Sequence, residues 1–147
     1  MKVSAPLILT SVLIFTLGAF FLIGGYAFFE NAFPILDDLE SLANLCLGTV
    51  FIVVGCFALA TTLGVSRLLP WARAAALWLP VAALLAYLLF IAWYSYGVMT
   101  TPDIGWSWEV LAPRPFILAL EAWCYVLFRR PFVKRQFAPR GHVPAEG

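Results

Sequence analysis

The chain has 147 residues, 63% of them apolar and only 12% charged. Soluble domains carry about 25% charged residues, so this composition excludes an ordinary soluble domain and fits one polytopic membrane domain. The formal net charge of +1 is uninformative as a total; where the charges fall is not.

The first apolar run covers residues 5–29, with Lys2 before it. A secretory signal core is about 7–15 residues. This run is longer, so it reads as a retained membrane helix. Gly18 and Gly25 share one face and would let another helix approach closely. The first loop, residues 30–40, holds Glu30, Asp37, Asp38 and Glu40 and no Lys or Arg. Acids there suit the start of the next helix, whose dipole favours negative charge. The regular oxygen spacing and turn glycine of a calcium loop are absent.

The second run covers residues 42–65. It carries two small-residue stripes, Gly48 with Gly55 and Cys56 with Ala60 and Gly64. Both are expected to face other helices. Arg67, Pro70, Trp71 and Arg73 make a short basic connection. The third run, residues 74–99, has Pro80 in its first turns, where a kink is expected, and Ala75, Ala82 and Ala86 as a small face. Trp93, Tyr94 and Tyr96 near its end suit an aromatic belt. The second loop contains Trp106 and Trp108, placed in the headgroup layer. The fourth run, residues 110–128, would be about 28 Å long, just enough to span the hydrocarbon. Residues 1–137 form the membrane domain, and residues 138–147, with His142, read as a solvated tail.

In a four-helix threading, Lys2, Arg67, Arg73, Arg129, Arg130, Lys134, Arg135 and Arg140 fall on one side and only Arg114 on the other. The positive-inside rule then places both termini in the cytoplasm. Short loops predict an all-α fold, an antiparallel up-down bundle of four transmembrane helices.

Several chemistries fall away. Haem needs axial ligands in the membrane, and the single histidine is His142 in the tail. Cys46, Cys56 and Cys124 form no C-x-x-C pair and read as packing residues. Nucleotide-loop, nucleophile-elbow and zinc-protease motifs are missing, so no cofactor, metal site or catalytic residue is expected. Nor is a nucleic-acid partner. The basic end suits anionic headgroups, at about 1 kcal/mol per residue, but the same charges serve as a topology signal.

Glu121 is the one deep ionisable residue. A charged acid at a helix centre costs several kcal/mol, which makes it a functional candidate. The sharper reading is a proton or cation relay. The blander one is a protonated carboxyl making one interhelical hydrogen bond. Depth matching places Thr16 and Tyr87 at the same level, so their hydroxyls are the expected partners of an inward-pointing Glu121. Arg114 lies two turns away but leans outward, toward the headgroups.

Two stretches resemble a recurrent group of small bacterial four-helix integral membrane proteins of uncharacterised function. One is Leu68-Leu69-Pro70-Trp71-Ala72-Arg73; the other runs from Tyr125 through Arg129-Arg130-Pro131-Phe132-Val133-Lys134 to Phe137. The resemblance implies the four-helix fold and supplies no catalytic residues. Sparse intramembrane polarity leads to the expectation of a non-enzymatic accessory or assembly protein, in contact with the bilayer and with a membrane-protein partner or further copies of itself. The alternative is a small oligomeric proton-coupled transporter or channel using Glu121.

Overall fold

A computed structural model describes residues 4–32, 39–100 and 113–137. The expected loop residues Asp37, Asp38, Trp106 and Trp108, and His142 in the tail, lie outside them. The described residues are almost entirely helical, with no strand. The helices are α1 (Ala5–Ala32), α2 (Leu39–Ser66), α3 (Pro70–Thr100), α4 (Pro113–Arg129) and α5 (Pro131–Gln136). The first three contain 26, 27 and 31 residues long and apolar enough to cross a membrane. At about 1.5 Å per residue each exceeds the ~30 Å hydrocarbon core. Their free surfaces are apolar too: Ile23, Val53, Leu63 and Trp78 are all at least 60% exposed. Such surfaces suit lipid as solvent and indicate a membrane protein.

Hydroxyl groups obey the same solvent. Thr10, Thr49, Thr61 and Ser95 each donate to the carbonyl four residues back, at 2.7–2.8 Å. Each thereby satisfies itself within its own helix, which hydrocarbon requires.

Consecutive helices pack against each other, α1 on α2 most extensively, and α4 touches α1 lightly. The α1–α2 seam is antiparallel and built on glycine. A Cβ on Gly18 would stand 3.2 Å from the Gly55 carbonyl oxygen, and one on Gly48 would stand 3.1 Å from that of Gly25. Backbones that close leave no room for side chains, so the two expected glycine faces do meet. Beyond this clasp the seam turns aromatic. Phe51 of α2 lies 4.8 Å from Phe21 and 5.4 Å from Phe28 of α1, and 6.1 Å from Phe90 of α3, centre to centre. Edge and tilted contacts at this spacing add to area burial.

The other expected stripe is a correction. Cys56 and Ala60 are exposed; only Gly64 is covered, by Ala72 and Trp71 at the start of α3. Four-residue spacing defines a face but does not say what it meets. The third helix also begins at Pro70 rather than residue 74, because proline fits the first helical position, where its missing N–H has no helical partner. Between α2 and α3 the chain reverses at Leu68, which adopts φ 56°. The Leu69 amide bonds the Gly64 carbonyl at 2.9 Å and the Leu68 amide bonds Val65 at 3.1 Å, a Schellman closure.

Helix α5 was not expected. Pro131 holds Arg130 extended (φ −64°, ψ 136°), which ends α4, and then occupies the first turn of α5. The short helix folds back, burying Val133 and setting Phe137 5.9 Å from Phe128.

Candidate functional site

Helix α4 buries Ile117, Leu120, Cys124, Leu127 and Phe128. With 3.6 residues per turn, Glu121 lies roughly 70° from the middle of that face and Trp123 roughly 90° the other way. Glu121 is accordingly half-exposed. It borders a shallow outward groove whose other walls, Leu118, Ala122, Tyr125 and Val126, all belong to α4. Among the described residues none bonds its carboxyl.

The expected partners lie elsewhere. Thr16 is exposed, and its hydroxyl donates to the Val12 carbonyl at 3.0 Å. Tyr87 is 2% exposed, its ring 6.3 Å from Phe90. The four candidates thus separate: Tyr87 is buried, Arg114 and Thr16 are exposed, and Glu121 lies on the flank of α4. The expectation of an inward Glu121 fails because matched depth fixes height in the membrane and leaves the angle around the helix open.

Two polar links between helices went unseen in the sequence. The Trp123 indole N–H donates to Thr10 Oγ1 at 2.9 Å, tying α4 to α1, and the Thr10 hydroxyl donates to the Pro6 carbonyl at 2.8 Å. A tryptophan at membrane depth needs such an acceptor, which was the available signal. The second link is Arg73 Nε–H, donating to the Phe128 carbonyl at 3.1 Å. The break at Arg130 leaves that carbonyl without its helical donor. A cation at a helix C-terminus also opposes the dipole favourably.

The basic end continues with Arg129, whose guanidinium stands 3.9 Å above the Tyr125 ring. Arg130, Lys134 and Arg135 are exposed beside it. Cys46 and Cys56 are exposed, Cys124 is buried, and all three are free thiols. Among the described residues no group of three His, Cys, Asp or Glu could hold a metal ion.

No family model, curated protein or solved structure matches the chain. Function is therefore read from its own residues.

Proposed function

We propose that this chain is a four-span protein of a bacterial inner membrane, with both termini cytoplasmic, and a non-enzymatic accessory or assembly protein that docks another membrane protein through α4. The observation that carries this reading is the carboxyl of Glu121, on the outer flank of α4 beside the small Ala122 and bonded by none of the described residues. In hydrocarbon a carboxyl without a partner is costly, and a neighbouring helix bearing a donor at that depth removes the cost. Helix α4 has 17 residues, about 26 Å, close to the ~30 Å thickness of the hydrocarbon core. Arg67, Arg73 and the four cations between Arg129 and Arg135 support the cytoplasmic placement.

The test is a photoreactive side chain at Ala122 in cells, with Leu85 of α3, 58% exposed, as control. One discrete protein adduct from position 122 and none from position 85 is expected. Adducts to lipid alone at both positions would sink the reading.

A second reading draws on the same observation. Because Glu121 lies on the outer flank, a small oligomeric transporter or channel would run its path between copies. Proton flux into reconstituted vesicles, lost in Glu121→Gln, together with an adduct of twice the chain mass at Ala122, would favour it.

A further inference from the structure

At the basic end, the first turn of α1, the last turns of α4 and the start of α5 enclose a cleft of about 180 Å³, lined by Pro6, Trp123, Val126, Leu127, Arg130 and Phe132. Among the described residues that line it, Arg130 is the only charged side chain. The Trp123 N–H is already bound to Thr10, so the indole needs no polar partner from an occupant of the cleft. The extended backbone that Pro131 imposes holds Arg130 at the rim, directly beyond the last turn of α4. Arg129, Lys134 and Arg135 are exposed on the same end of the chain but do not line the cleft. The described acids, Glu30, Glu40 and Glu121, lie within or at the far ends of the spans, so none neutralises this rim.

We propose that this cleft binds one acidic phospholipid. The upper part of an acyl chain lies against Trp123, Val126 and Leu127, and the phosphate meets Arg130, with Lys134 adding its charge. The occupant follows from two complementary halves. The apolar walls have no use for a free anion, and the cationic rim has none for an uncharged lipid. A guanidinium suits phosphate because its fork of donors matches two oxygens. Phe132, 42% exposed, and the buried Val133 and Phe137 fix α5 at this level.

The test uses the full chain in neutral detergent, with bound lipid counted by native mass spectrometry and unfolding followed with temperature. Phosphatidylglycerol is expected to bind one per chain and raise Tm saturably. Phosphatidylcholine of the same chains and inorganic phosphate are expected to do neither. Arg130→Gln should weaken phosphatidylglycerol about fivefold, as one charge near a surface is worth. Arg135→Gln, which removes one charge away from the cleft, should change it less. Val126→Trp fills the cleft without touching the cations and should also weaken binding. Equal losses in Arg130→Gln and Arg135→Gln would reduce the effect to diffuse attraction and overturn the site. So would equal binding of phosphatidylcholine, competition by phosphate, or an unchanged Val126→Trp variant.

Discussion

The glycine clasp between α1 and α2 makes the sharpest stability prediction. A methyl group on Gly25 would stand 2.7 Å from Ile52 Cγ1, 3.0 Å from the Gly48 carbonyl oxygen and 3.1 Å from the Ile52 amide nitrogen. Two of those three atoms are backbone, so no rotamer change relieves the contact and the helices must part. The same substitution at Gly97 of α3 meets nothing within 4 Å. Alanine gains up to about 1 kcal/mol over glycine from helix propensity at either site, and this gain largely cancels when the two variants are compared. What remains is the cost of overpacking, about 1–3 kcal/mol. Gly25→Ala should therefore be less stable than Gly97→Ala by that amount. Reversible unfolding in mixed detergent micelles, followed by far-ultraviolet circular dichroism, measures both. Equal shifts of the same sign would refute the close approach and leave the seam to its aromatic rings.

Gly64→Leu should destabilise clearly more than Leu63→Ala, because a Cβ at Gly64 would meet Ala72 Cβ at 2.6 Å whereas Leu63 is 60% exposed; equal midpoints would contradict this. Trp123→Phe and Thr10→Val, combined in a double-mutant cycle, should show a coupling of about 0.6 kcal/mol and at most about 1.7; additive losses would mean that the bond is absent in detergent. Arg73→Gln should cost about 1.5–3 kcal/mol, since a charge-assisted bond to the Phe128 carbonyl is lost; a stability indistinguishable from the parent would rule that bond out.

Three spans were legible because their signal is length and apolarity, which hydrocarbon reads directly. The glycine faces were legible for a related reason: only close backbone approach uses Gly18 and Gly25 opposite Gly48 and Gly55. The Cys56–Ala60 stripe misled, since the same spacing also appears on a face turned to lipid. On α4 the buried residues Ile117, Leu120, Cys124 and Leu127 alternate steps of three and four. That pattern is a helix-packing seam readable from sequence, and it already puts Glu121 on the flank. Depth matching ignored it. Helix α5 was hidden because a six-residue helix carries too little periodicity; Pro131, which suits its first turn, is the one local signal of its start.

The height of Glu121 separates the two functional readings. It lies eight residues from Arg129 and seven from Arg114, about 12 Å and 10 Å along the helix. Neither end is within reach of a glutamate side chain, so it cannot escape to water as a lysine or arginine would by snorkelling. On either proposed reading its partner comes from outside the described residues at the same depth, on a different protein or on a second copy. The two cases differ in what they ask of residue 121. A docking contact asks only for a hydrogen-bonding group, which an amide supplies, whereas a proton path asks for a group that binds and releases a proton, which an amide does not. Glu121→Gln should thus retain the adduct at Ala122 if docking is its task, while Glu121→Leu loses it. If the residue carries protons, Glu121→Gln and Glu121→Leu should both abolish flux. Stability of the isolated chain should change little in either variant, because the carboxyl bonds nothing among the described residues. A large loss of stability in Glu121→Gln would mean that the carboxyl turns inward after all.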